Sequence, residues 1–196
     1  MTDTELTLEE QATNFQTLKH VMRVRDMLDL FATMLLERGR LHDQSKLERP
    51  EVELFTEFTS KLASCTYGSD EYKKYLEQMA PALRHHYAKN RHHPEHFKEI
   101  SDSAVADLER MLRNVESACG TKSEIAAYLE EQIRIRKSSV GGMNLVDVIE
   151  MFSDWRAATE RHHDGNLRTS IAKNALRFAM SPQLVKIFEN TADLFD

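Results

Sequence analysis

The chain has 196 residues, 41% of them hydrophobic, enough to bury one apolar core without disulfides. A net charge of −6 and a pI near 5.9 argue against broad electrostatic attraction to nucleic acid. Only two cysteines occur, Cys65 and Cys119; without CxxC spacing they exclude a thiolate metal site and read as thiols of a reducing cytosol.

Six glycines and four prolines among many helix formers argue against a turn-rich β protein. The first twenty residues are acidic and polar, so no secretory signal is expected. The longest apolar stretch, around Met27 to Leu36, is interrupted by Asp29 and falls short of the roughly 20 residues a membrane span needs. The reading is a cytoplasmic, soluble, all-α protein of one domain over 1–196, with no membrane partner.

In chain order, Thr7-Leu-Glu-Glu10 has capping-box form and predicts a helix from about residue 8, with Gly39 as its stop. A short second helix is expected to carry Leu41 to Lys46, and a third to begin at Pro50 and run through Leu62. Thr66 to Ser69 reads as a turn, with Ser69 or Asp70 capping a helix that ends at Arg84-His85-His86. Pro94 disfavours helix before it, so His92 to His96 is placed at a bend. Helices are expected over Ala104–Ala118 and Ser123–Lys137, the latter opened by a Thr121–Glu124 capping box. After the loop Ser138–Met143, Asn144 caps a helix through His162; helices over Leu167–Met180 and Pro182–Leu194 finish the chain. Leu184, Ile187 and Phe188 of the last helix can cover the core or form a homodimer seam.

Nine histidines is a high count, and five fall in the twelve residues from His85 to His96. Imidazoles and carboxylates without thiolates suit Mn²⁺, Fe²⁺, Co²⁺, Ni²⁺ or Zn²⁺ in a catalytic site. His42-Asp43 is the pivotal pair, and Lys46 would stand on the same side of a helix as His42. A lysine beside a cation is electrostatically odd unless an anion such as phosphate also enters. Asp147, Glu150 and Asp154 lie at i, i+3 and i+7, on one helix face beside Trp155. Three stacked carboxylates repel unless a cation or a basic group compensates them.

A histidine, then His-Asp about twenty residues later, then a distant aspartate resembles the signature of the HD phosphohydrolase superfamily, and His42-Asp-Gln-Ser-Lys46 matches its HDxxK form. "HDQSK", "HHYAKNRHHPEHF" and "MNLVDVIEMFSDWRAA" further resemble a little-characterised HD-like family met in bacteria and bacteriophages. The likeness runs from about His20 to Thr191 and implies an HD-type helical bundle, with 101–137 as an inserted helical hairpin. It implies His20, His42, Asp43 and Asp147 as ligands of one metal. In two-metal branches, further histidines hold a second ion; here His86, His92 and His93 are the candidates, with Asp43 as bridge.

The activity so implied is metal-dependent hydrolysis of a small phosphoester, first of all a nucleoside monophosphate, by metal-activated water. Lys46 would bind the phosphate, and Glu150, or else Asp154, would act as general acid or base. Arg177 is a second candidate phosphate contact, and Trp155 a candidate platform for a base, although an aromatic residue on a helix is more often core. Two other readings stay open: an HD-fold di-iron oxygenase that cleaves C–C or C–P bonds, and a non-catalytic nucleotide-binding HD protein.

Overall fold

The computed structural model describes residues 6–65, 69–119, 123–137, 139–161 and 165–195. Among these every regular element is helical, as composition predicts. The helices are α1 (Leu8–Leu41), α2 (Glu51–Ser64), α3 (Asp70–Gln78), α4 (Ala80–Lys89), α5 (Lys98–Cys119), α6 (Glu124–Lys137), α7 (Leu145–Glu160), α8 (Leu167–Arg177) and α9 (Pro182–Ala192). Short 3-10 turns cover Gln44–Leu47, Pro94–Phe97 and Ser139–Gly142. No described helix is long and apolar enough to cross a membrane.

Residues 1–41 and 42–196 form two compact units. The first is α1, whose start is set by the expected reciprocal cap: Thr7 N–H donates to Glu10 Oε2 at 2.7 Å and Glu10 N–H to Thr7 Oγ1 at 3.2 Å. Gly39 does not end it, and the helix runs on to Leu41. None of its side chains is buried.

The second unit begins at the His-Asp pair, and here the expected short α-helix does not form. Asp43 takes left-handed backbone angles (φ 56°, ψ 15°), which aspartate tolerates better than most residues. Lys46 N–H then bonds Asp43 C=O at 2.9 Å, closing a 3-10 turn. Pro50 acts as the cap of α2 rather than its first residue. A second difference lies at Met79. The helix expected to run from Asp70 to His86 is broken there into α3 and α4, because Pro81 has no N–H to continue the ladder. Met79 itself is buried at 1% exposure and anchors the joint.

α5 starts at Lys98, earlier than expected, and packs along α6. Ser123 Oγ caps α6 by accepting Ala126 N–H at 3.0 Å; Thr121, the expected partner, lies outside the described residues, as do His162 and His163. Local caps match expectation at Ser69, Asn144 and Ser181, where each side-chain oxygen accepts a first-turn N–H.

The main apolar core joins α7, α8 and α9 through Met151, Phe152, Trp155, Ile171, Phe178 and Phe188. Met151 is buried in this core, whereas Ile149 is exposed. On α9, Phe188 is buried and Ile187 exposed. Gly142 brings its turn against Phe97, where an added Cβ would lie 2.8 Å from the Phe97 Cβ. That close approach sets the entry to α7 beside the turn following the histidine cluster.

Candidate metal centre

Three segments of the second unit supply the site. The left-handed turn presents His42 and Asp43, the end of α4 and the turn after it present His86, His92 and His93, and α7 presents Glu150 and Asp154. Three overlapping groups bring ligand atoms within 4.8 Å of one another: Asp43 with His86, His92 and His93; His42 with His92 and Glu150; and His42 with Asp43 and Asp154.

Asp43 is divided in its loyalties. Its Oδ2 takes the Lys46 ammonium at 2.6 Å, while its Oδ1 lies 3.3 Å from His86 Nε2 and 3.5 Å from His92 Nε2. Asp43 Oδ1 and His92 Nε2 are both shut off from solvent without a hydrogen-bond partner. A buried acceptor in that condition costs about 1–3 kcal/mol, and a divalent cation between such atoms removes the penalty. The donor set of imidazoles and one carboxylate therefore fits a transition ion.

Protonation follows the same geometry. Burial works to raise the Asp43 carboxyl, but the Lys46 charge and hydrogen bond, with the charge of His42, outweigh it and hold it low. Burial pushes His86 down, with the Lys46 charge acting the same way, and burial with the neighbouring His92 pushes His93 far down. Both rings are therefore neutral, the form a metal requires. His42 differs. Hydrogen bonds to Asp154 and Glu150 raise it to about 10, so without an ion it is an imidazolium between two carboxylates. Its Nδ1 lies 2.9 Å from Glu150 Oε1, and its Nε2 lies 3.5 Å from Asp154 Oδ1. Glu150 Oε1 also lies 3.1 Å from His92 Nδ1, and so ties two rings together.

Glu51 was not singled out by sequence, where it is one of two acidic residues in a helix's first turn. It is completely buried and accepts from His85 Nδ1 at 2.7 Å, His86 Nδ1 at 2.9 Å and Ser45 Oγ at 3.0 Å. Local sequence held no signal for this, because the partners are 34 and 35 residues away.

The chain belongs to the family of unknown function DUF5662. The family model matches residues 9–194. No curated protein and no solved structure matches the chain.

The other residues singled out by sequence are distributed as follows. His20 lies on α1, in the first unit, with its side chain exposed. Asp147 is fully buried but joins none of the three ligand groups. Its Oδ2 accepts the Asn144 N–H at 3.0 Å, and Arg91 bonds it through Nε at 3.2 Å and Nη2 at 3.0 Å. The carboxylate ladder of α7 is thus compensated by Arg91 and His42, not by Arg156, which pairs with Glu160. Trp155 is packed into the core, stacked on Phe178 with 9° between the planes and edge-on to Phe188. Both of these ring contacts lie within the apolar core. Arg177 is paired with Glu95 at 2.5 Å and lies over Phe178. His96 Nδ1–H donates to the Tyr87 carbonyl at 3.0 Å, and the two cysteines are free thiols.

Proposed function

We propose that this protein is a metal-dependent phosphohydrolase with an HD-type site, acting on a small phosphoester, first of all a nucleotide. The observation that carries the reading is the buried pair Asp43 Oδ1 and His92 Nε2, 3.5 Å apart and neither with a hydrogen-bond partner, ringed by His86 and His93. A bound divalent transition ion would acidify a water and neutralise charge on a phosphate oxygen. Lys46 holds Asp43 by its outer oxygen and leaves the inner one for the ion, and its half-buried ammonium supplies positive charge to an entering phosphate. Glu150 aligns the rings of His42 and His92. Asp154 is more solvent-accessible than Glu150 and so is better placed to exchange a proton with water.

The test is phosphate release from a panel of nucleoside monophosphates with Mn²⁺ or Co²⁺. Turnover is expected, and Asp43→Ala is expected to abolish it without loss of helical signal. Absence of turnover on every phosphoester would retire the hydrolase, and tight nucleotide binding without product would favour a binding protein. One observation supports a second reading. His42, Asp43 and His92 each belong to two ligand groups, which suits two adjacent ions and hence a di-iron oxygenase. Iron content after anaerobic purification, with a Mössbauer signal of coupled iron, separates the two.

A further inference from the structure

We infer that Glu51 is the positioning residue of this centre: it fixes the tautomer and direction of His86 so that the Nε2 lone pair faces Asp43, His92 and His93. The inference rests on the metal reading above for its purpose, but its geometry stands without an ion.

An ionised carboxylate only accepts. Glu51 Oε1 therefore takes the Nδ1–H of His85, and Oε2 takes the Nδ1–H of His86 and the Ser45 hydroxyl proton. Asn90 Nδ2 has two hydrogens, and its two shortest contacts are Ser45 Oγ at 2.8 Å and the His86 carbonyl at 2.8 Å, the latter also accepting the Asn90 backbone N–H at 2.9 Å. With both hydrogens on those acceptors, Nδ2 lies 3.0 Å from His86 Nδ1 without needing it as a third. A bare Nδ1 could take a proton from Asn90 Nδ2 or Ser45 Oγ, 3.0 and 3.2 Å away, but it would set a ring lone pair against Glu51 Oε2 at 2.9 Å in a fully buried site, so the carboxylate assigns the His86 proton to Nδ1. The opposite nitrogen, Nε2, is left as a bare acceptor 3.3 Å from Asp43 Oδ1 and 2.8 Å from His93 Nε2.

Two lone pairs facing one another at those distances repel. In the ion-free chain His93 Nε2–H can relieve one contact by donating to His86, while Asp43 Oδ1 stays without a hydrogen-bond partner. Satisfaction is thus complete on the Glu51 side of the ring and incomplete on the cluster side. A carboxylate behind a ligating imidazole raises its basicity and holds its plane, and loss of such a partner typically weakens metal binding 10–100-fold. Glu51 is wholly buried on the first turn of α2, so solvent does not compete for its hydrogen bonds in the folded chain.

Two measurements on the full-length chain test this. The first is the long-range ¹H–¹⁵N spectrum of the histidine rings at neutral pH in metal-free protein. His86 is expected to show a pyrrole-type Nδ1 and a pyridine-type Nε2, and Glu51→Gln to lose that pattern. The second is titration with Co²⁺ alone, followed by visible absorption. Glu51→Gln is expected to weaken Co²⁺ by about 10–100-fold and alter the band shape, whereas Glu51→Asp recovers part of the affinity. A merely structural glutamate would lower the thermal midpoint and leave tautomer and band shape as in wild type. The inference is overturned by His86 protonated on Nε2 in the wild type, or by wild-type Co²⁺ affinity in a folded Glu51→Gln. If Glu51→Gln does not fold, the wild-type ring spectrum and Ser45→Ala decide, the latter being expected to keep the tautomer. If wild-type protein takes no Co²⁺, the metal reading fails while the ring spectrum still judges Glu51.

Discussion

The second unit has two interiors, and α7 is a wall of both. On one side Met151, Phe152 and Trp155 enter an apolar core with α8 and α9. On the other, Glu150 and Asp154 meet the histidines of the left-handed turn and the segment after α4. The first interior is held by area removed from water and is indifferent to where protons sit. The second is held by the pairing of donors with acceptors, complete around Glu51 and Asp147 but not at Asp43 Oδ1 and His92 Nε2. Apolar packing and candidate metal ligands thus occupy different faces of one helix.

The difference can be broken from either side. The largest effect is expected from Asp43→Ala, which should abolish both Co²⁺ uptake and phosphate release while the chain stays folded, at a modest cost in urea midpoint because alanine is less at ease in the left-handed region. If the variant binds Co²⁺ as wild type does, the polar interior is only structural.

Phe152→Ala should do the reverse. It empties a packed site between Phe188 and Phe195 and is expected to cost about 3–5 kcal/mol in urea unfolding. Metal bound per folded molecule should stay unchanged.

Arg91→Ala tests the boundary between the interiors. It leaves the fully buried Asp147 without its guanidinium and should cost about 1–3 kcal/mol. In the same assay Asp147→Asn should retain Co²⁺ binding, because the present geometry uses that carboxylate as cap and ion-pair partner. A large loss of Co²⁺ in Asp147→Asn would return it to the ligand set that the HD resemblance implies.

The smallest effect is a pH dependence of the ion-free protein. Hydrogen bonds to Asp154 and Glu150 raise His42 in the folded chain to about 10, from an ordinary 6.5. A raised group stabilises fully below its unfolded value, so this contribution is present below about pH 6.5 and declines as pH rises through about 10. The urea midpoint should fall across that window, and Asp154→Asn should flatten the slope. Because an ion must displace the same proton, Co²⁺ affinity should rise as pH increases.

Much of the helical frame was legible in the sequence. The caps at Thr7, Ser69, Asn144 and Ser181 each involve residues three apart, so sequence spacing alone determines them. The density of histidines from 85 to 96 and the His42-Asp43 pair likewise announced imidazole and carboxylate chemistry. Pro81 could have revealed the break at Met79, since a missing N–H is a local fact.

Tertiary structure alone decided how those groups are used. Asp147 and Glu150 stand one helical turn apart and share a residue class. Arg91, 56 residues from Asp147, claims the first, whereas His42, 108 residues from Glu150, claims the second. Glu51 is an unremarked first-turn acid until folding seals it behind His85 and His86. Helix caps and periodicity are short-range steric and hydrogen-bonding facts, carried by neighbours in the chain. The worth of a buried charge depends on which distant donor or acceptor is enclosed with it, and only the packed chain makes that pairing.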